Sequence, residues 1–332
     1  MGIGFLITIH EFGHYLFCRL FKIPTPTFAI GIGPTIFKKK FPSTLLTIGL
    51  FPVAGYVQIG LPSEKESDTT ILKQRPLWKS GLILFGGIGF NILFAYIAII
   101  SVTLLTNNNK IIEKFQPHPI LVVKQQDILK QEFNNATIVE CNGEKISCIA
   151  QIVNIIQQTK QDESSPVKLT VEKNNEISTI SVDQKTLLAG NYIGLATKQT
   201  HSFFGKIMQG ATTTTLIIIT TLQSIISTLT KKNIHKFSGF VGIINSSHNA
   251  IKISFDMFIA FLAIISISLA ILNCLPVPIF DGGQFALLVI KKIFKKYSFE
   301  TIETVMTYAS FALIALLTLY TTYNDIIHWF IK

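Results

Sequence analysis

His10 and His14 stand four residues apart in an otherwise apolar run, with Glu11 between them. On an α-helix that spacing puts both imidazoles on one face, one turn apart. His-Glu-x-x-His on a helix is a pattern in which two imidazoles hold Zn²⁺ and the glutamate acts as general base. The chemistry it would support is hydrolysis by an activated water. The run 2–21 reads as one helix, and Glu11 is its only charged residue before Arg19. Ionisable groups in an apolar helix of that length are costly and usually mark function. The plainer reading is a chance match or a pair of buried core histidines.

Catalytic zinc usually takes three protein ligands and keeps one position open. The best candidate for the third is Asp281. It follows Pro276 and Pro278, which cannot continue a helix, and precedes Gly282 and Gly283. Irregular backbone at membrane depth is tolerated where protein or a water cavity surrounds it. Asp-Gly-Gly alone is an ordinary turn. Directly after an apolar span and Asn273-Cys274-Leu275-Pro276-Val277-Pro278 it is far more specific. His118, His201, His235, His248 and His328 have no ligand spacing and are assigned nothing.

Elements must bring these residues together. The chain has 332 residues, of which 48% are hydrophobic and 14% charged, with a mean hydropathy of +0.46. Its apolar residues gather in blocks at 2–21, 81–105, 255–272 and 305–320. Each is read as crossing a bilayer core of roughly 30 Å. The expected fold is a polytopic α-helical membrane protein with about four transmembrane helices. Between the first two spans, 28–33 and 45–59 are short, apolar and glycine-punctuated, and read as strands. From 110 to about 199 the chain turns polar. Strand-like runs at 120–123, 137–140, 168–171 and 177–182 surround a helical run at 149–158, the pattern of a small α+β domain. The stretch 207–229 is long enough to span but rich in Thr, Ser and Gln. The expected divisions are 1–106, 107–200, 201–254 and 255–332: a first membrane domain, the α+β domain, an interfacial amphipathic segment and a second membrane domain.

The net charge of +10 fits Lys and Arg held on the cytoplasmic side of a membrane. No basic-aromatic stripe accompanies it, so nucleic acid is not an expected partner, whereas membrane lipid is. The four cysteines have no C-x-x-C spacing, which argues against a cysteine zinc site. Cys141 and Cys148 could pair, or remain free thiols.

Lys22, Lys38, Lys39, Lys40, Lys65, Lys73, Arg75 and Lys79 outnumber Glu64, Glu66 and Asp68 in the first loop. Lys291, Lys292, Lys295 and Lys296 follow Asp281. Both segments are therefore expected in the cytoplasm and the α+β domain outside. A zinc ion at His14 would sit on the order of 12 Å from the cytoplasmic helix end. For Asp281 to reach it, 255–272 must run inwards. The segment 207–229 is then expected at the interface, because a crossing there would put Asp281 on the wrong side.

Together these residues resemble the site-2 protease family of intramembrane zinc metalloproteases. The match is to the bacterial regulator-of-sigma-E-protease type, with its extracytoplasmic PDZ domain. His10 to His14 match the family's zinc motif, and Asn273 to Gly283 its second motif, whose Asp is the third ligand. The segment 49–58 resembles the family's membrane-associated β-hairpin, 139–146 a late PDZ strand, and Tyr323-Asn324-Asp325 the C-terminal end. Gly87-Ile88-Gly89-Phe90-Asn91 and Gly239-Phe240-Val241-Gly242-Ile243 depart from the family's usual glycine-proline patterns, and Asn134-Asn135-Ala136 replaces its usual Gly-Asp.

The resemblance implies a multi-pass protein of the bacterial inner membrane, with the PDZ-like domain extracytoplasmic and the single zinc ion near the cytoplasmic side. It implies that Asn273 helps hold the substrate or polarise its carbonyl, and so counts with Glu11 as catalytic. The expected substrates are single-span membrane proteins, such as anti-sigma factors or signal-peptide remnants. Gly55, Tyr56 and Val57, with Asn273, Pro276 and Pro278, are the expected substrate-binding residues, the first three on a segment able to take an added strand. The stretch 86–89 could serve close helix approach. Two other readings compete: a catalytically silent scaffold that binds partners through its PDZ-like domain, and a metal transporter. The transporter would need more intramembrane carboxylates than the spans supply.

Overall fold

The computed structural model describes residues 2–60, 72, 74–106, 113–116, 119–123, 132–158, 166–184, 187, 193–197, 202–230, 240–294 and 300–330. The run that carries His10 and His14 is helix α1 (Gly2–Leu20). Strands β1 (Thr27–Phe41) and β2 (Thr44–Val57) follow it. Helix α2 (Leu77–Leu105) comes next and is apolar on every side, the mark of a helix surrounded by protein or lipid.

β1 and β2 are long, irregular strands that fold on each other. Residues 27–30 pair with 45–48 on one side and 28–30 with 55–57 on the other, while 35–41 pair with 44–49. The segment 51–57 is therefore an edge. Its Gln58 neighbour donates its N–H inwards to the Thr27 carbonyl at 2.9 Å. By strand alternation the Val57 N–H faces away from the sheet.

The polar region forms a six-stranded antiparallel sheet. Its strands are β3 (Pro119–Val123), β4 (Thr137–Cys141), β5 (Glu144–Lys145), β6 (Pro166–Lys173), β7 (Glu176–Asp183) and β8 (Ile193–Thr197). The order is β7-β6-β4-β3-β8, with β5 also paired to β4. β6 shows why: Val167, Leu169 and Val171 alternate inwards while Pro166 and Lys168 face out. Asn174 and Asn175, both at positive φ, make its tight two-residue turn into β7. Asn142 and Gly143 do the same between β4 and β5. Helix α3 (Ile149–Gln158) buries Ile152 and Ile156 in the same core as Leu121, Ile138 and Leu169.

Helices α4 (Phe203–Thr230), α5 (Phe240–Ile253), α6 (Phe255–Asn273), α7 (Asp281–Ile293) and α8 (Glu300–Phe330) complete the described chain. Contacts divide it into two units: Met1–Ala95 with Ile234–Asn249 and Leu262–Lys332, and Tyr96–Asn233 with Ala250–Phe261. The first has its own core, in which Cys18 of α1, Phe28 of β1, Val57 of β2, Ile83 of α2 and Leu288 of α7 meet.

Among the described residues three helices are long and apolar enough to cross a membrane: Leu77–Leu105, Phe255–Asn273 and Glu303–Tyr323. Helix α1, expected as a span, is not among them, because His10, Glu11, His14 and Arg19 dilute its apolar residues. Nor is α4. Several of its threonines are satisfied within the helix, Thr212, Thr214, Thr215 and Thr220 each bonding a carbonyl four residues back. Those four hydroxyls make no demand for water, whereas the buried Thr213 hydroxyl beside them has no partner.

The lysine-bearing stretch after Asp281 is the helix α7 as far as Ile293, and Lys291 in its last turn forms an ion pair with Glu303 of α8. The expected junctions at 106/107 and 200/201 adjoin or lie within stretches outside the described residues. Glu64, Lys65, Glu66, Asp68, Lys73, Lys295 and Lys296 also lie outside them.

Candidate metal centre

Two of the donors arrive on one face of α1, as the four-residue spacing predicts. His10 and His14 are both buried, 9% and 7% exposed. The third donor, Asp281, is the first residue of α7. A carboxylate is favoured there by the unpaired N–H groups and dipole of a helix N-terminus. The segment between α6 and α7 is a chain of tight turns held by short backbone bonds, Val277 N–H to Leu275 O at 2.8 Å and Phe280 N–H to Val277 O at 2.8 Å. Pro276 and Pro278 stop α6 there, and the turns bring the start of α7 back against its end.

Glycines let the backbones approach. A Cβ on Gly282 would lie 2.3 Å from the Cys274 carbonyl oxygen, and one on Gly283 1.9 Å from that of Val277. The Asp-Gly-Gly sequence is thus a helix start packed on the preceding turn. Across the site, a Cβ on Gly13 would lie 2.3 Å from the Gly86 carbonyl oxygen. One on Gly87 would touch both imidazoles, 2.6 Å from His10 Cε1 and 2.6 Å from His14 Nε2. Gly87 is therefore the floor on which the two rings rest.

The donor atoms converge. His10 Nε2 lies 3.1 Å from Asp281 Oδ2, His14 Nε2 lies 3.5 Å from the same oxygen, and the two Nε2 atoms are 3.2 Å apart. Zinc bonds of about 2.0–2.1 Å in tetrahedral geometry place ligand atoms about 3.3 Å apart. The triangle has the dimensions of one face of such a tetrahedron. Its chemistry fits as well. His14 Nδ1 is 2.8 Å from the Ile83 carbonyl, which can only accept, so Nδ1 carries the proton and Nε2 a lone pair. Asp281 Oδ2 is buried with no hydrogen-bond partner. Lone pairs facing each other in a buried site call for a cation.

Glu11 is half-buried beside this cluster. Gly55 of β2 packs against it, with a Cβ position 3.5 Å from Glu11 Cγ. The Val57 backbone amide hydrogen-bonds its carboxylate. The edge of β2 therefore passes directly over the carboxylate. Tyr56 is 53% exposed between them. Asn273 ends α6 and is half-buried. Among the described residues, no hydrogen bond links it to His10, Glu11, His14 or Asp281. Pro276 is exposed and Pro278 buried. Sequence reasoning assigned no role at the site to Asn91, whose amide nitrogen is 3.3 Å from His10 Nδ1. A lone Asn in an apolar span was the available signal.

This constellation matches known proteins along nearly its full length. The profile of peptidase family M50 matches residues 1–317. A Fusobacterium nucleatum protein named "Putative zinc metalloprotease" is 24% identical over 320 residues, 89% of each chain. A Helicobacter pylori protein of the same name is 26% identical, over 88% of this chain and 87% of its own. "Membrane metalloprotease ARASP, chloroplastic" of Arabidopsis thaliana is 27% identical over 87% of this chain and 68% of its own. The chain belongs to peptidase family M50, the site-2 protease family, and is a zinc metalloprotease of the membrane.

Proposed function

We propose that this metalloprotease cleaves the membrane-spanning segments of single-span proteins, with His10, His14 and Asp281 holding its zinc. The observation that carries the reading is the donor triangle set beside Glu11 and beneath the β2 edge. Zinc at these donors supplies Lewis acidity, lowering the pKa of a water towards neutrality and polarising a carbonyl. Glu11, beside those donors, would act as the general base and pass a proton on to the leaving amine. Asn273, at the mouth of the α6–α7 turn, is assigned to the substrate carbonyl. Pro276 and Pro278 shape that turn.

A helical substrate hides its carbonyl carbons and must unwind first. An edge strand at 51–57 gives it somewhere to unwind onto. Gly55 points its backbone groups away from the sheet on that edge, next to the Val57 N–H that faces Glu11, and a strand added there would run past Glu11. Tyr56 would flank it.

The arrangement in the membrane follows from charge and parity. α1 is the first of four spans, its mean hydropathy lowered by the residues of the site and by Arg19 at its end. α4 lies at the interface. The six-stranded domain is PDZ-like and extracytoplasmic, and the zinc lies towards the cytoplasmic side of the bacterial inner membrane. Cleavage of candidate single-span proteins by wild type and by Glu11→Gln tests the function. The variant should keep zinc and lose nearly all proteolysis. Substantial remaining cleavage would mean that another group deprotonates the water. A wild type that cuts only soluble peptides would remove the intramembrane reading.

A further inference from the structure

Asn91 sits in the middle of α2 with no exposure at all, and its side-chain oxygen is buried without a partner. Its amide nitrogen is 3.3 Å from Nδ1 of His10. In that orientation the amide N–H can only donate to Nδ1, which would leave the His10 proton on Nε2, the atom aimed at Asp281 and His14. The carbonyl oxygen meanwhile faces no donor. Oxygen and nitrogen of an asparagine amide differ little in shape and are told apart by their hydrogen-bond partners. The conflict at His10 is removed if the amide is turned over, its NH2 then taking the place of the oxygen. The oxygen then accepts the Nδ1 proton, and Nε2 presents a lone pair to the donor triangle. His14 already stands in that tautomer through the Ile83 carbonyl at 2.8 Å.

We propose that Asn91 is a positioning residue for the metal centre, its side-chain carbonyl accepting the Nδ1 proton of His10 and fixing the ring with Nε2 free to bind zinc. The proposal rests on the assignment of His10 as a zinc ligand. A partner of this kind sets both the tautomer and the rotation of a ligating imidazole. The asparagine is itself held in place: the Ser266 hydroxyl of α6, fully buried, donates to the Asn91 backbone carbonyl at 2.9 Å. α6 is the helix whose end leads into Asp281. One chain of contacts thus runs from Ser266 through Asn91 to His10, and ties the helix before the third donor to the first.

The test is zinc affinity of the purified full chain, by competition with a chromophoric chelator. Asn91→Leu keeps the bulk and removes the acceptor, and should weaken zinc about 10- to 100-fold. Asn91→Asp can only accept, and should hold zinc within about threefold of wild type or more tightly. A purely structural role for Asn91 would not make the charged residue the better replacement. Asn91→Leu with wild-type affinity overturns the proposal. So does Asn91→Asp that folds, by circular dichroism and size exclusion, yet binds zinc ten times more weakly than wild type; this arm decides the matter even if the Leu variant does not fold. A wild type that binds no zinc would refute the ligand assignment, and the proposal with it.

Discussion

Replacing Gly87 by Ala should loosen zinc without altering any ligand. The added methyl carbon would lie 2.6 Å from both His10 Cε1 and His14 Nε2, and 2.8 Å from His10 Nδ1. Relaxed heavy-atom contacts are about 3.5–4.0 Å, so each ring would have to retreat by roughly 1 Å. Metal–ligand distances tolerate only about 0.2 Å. The rings have little freedom to follow, since His14 is bonded to the Ile83 carbonyl and His10 lies against Asn91. Overpacking of this kind costs about 1–3 kcal/mol. If the strain is relieved by giving up the zinc-holding arrangement, zinc affinity falls about 5- to 150-fold, a decade for each 1.4 kcal/mol. Chelator competition on detergent-purified protein would read this directly. Gly89→Ala is the internal control. Nothing lies within 4 Å of a Cβ there, and the change favours the helix by roughly 1 kcal/mol. That variant should bind zinc as wild type does. Undiminished zinc affinity in Gly87→Ala would refute the reasoning, since it would mean the helices part to make room and leave the ligands undisturbed.

Gly283→Ala should be at least as damaging to zinc content, because its methyl would collide with the Val277 carbonyl at 1.9 Å and push Asp281 off the turn; zinc analysis of the purified variant decides it. Cys141 and Cys148 are free and buried, and burial pushes both thiols up, Cys141 to about 11. Below that pH its thiolate is scarce, so both should resist alkylation in the native protein near neutrality and react after denaturation; rapid native labelling would contradict the packing. A cysteine placed at Asn175 should react with an impermeant reagent from outside the cell, and one at Ser43 only after the membrane is opened, whereas labelling of both from one side would defeat the four-span arrangement. Deleting 114–198 and joining the ends with a Gly/Ser linker should leave zinc bound and admit substrates with bulky ectodomains. A deletion that binds zinc but cleaves nothing would make the domain part of the catalytic machinery.

Much of this could be read from the residues, and the reasons are physical. The i, i+4 spacing of His10 and His14 is a geometric statement about helices, and the structure realises it. The strands β4, β6 and β7 and the helix α3 carry strong period-two or helical patterns and asparagine turns, so they were legible. Other features were hidden because their cause is tertiary. Pairing of 28–30 on both sides depends on how β2 bends, which no local pattern encodes. The helix α7 hides behind Pro276, Pro278 and two glycines, which signal a loop unless the backbone they pack against is known. Asn91 looked like part of a variant motif, and only the distance to His10 gives it a role. β8 and α5 are short or weakly patterned stretches among polar residues.

The glycines explain how such a site can be built in an apolar setting. Lipid is as apolar as a leucine side chain, so helices there gain little from hiding apolar surface and associate instead through close packing and polar contacts. This site uses both at each joint. Gly13 against Gly86 brings α1 onto α2, and the His14–Ile83 bond locks the same pair. Gly282 and Gly283 seat α7 on the turn that ends α6, and the convergence of Asp281 with His10 and His14 ties that assembly to α1. Gly55 brings the β2 edge down to Glu11, and the Val57 amide fastens it. In each case a missing side chain sets the distance and a polar group sets the orientation. A methyl at Gly55 would meet the Ala29 carbonyl oxygen at 2.9 Å, but approach Glu11 only at 3.5 Å. Gly55→Ala should therefore act on the strand more than on the metal: zinc retained, KM raised, and cleavage of an already unwound substrate less affected than that of a helical one. Loss of zinc in Gly55→Ala would show instead that the hairpin supports the donor triangle itself.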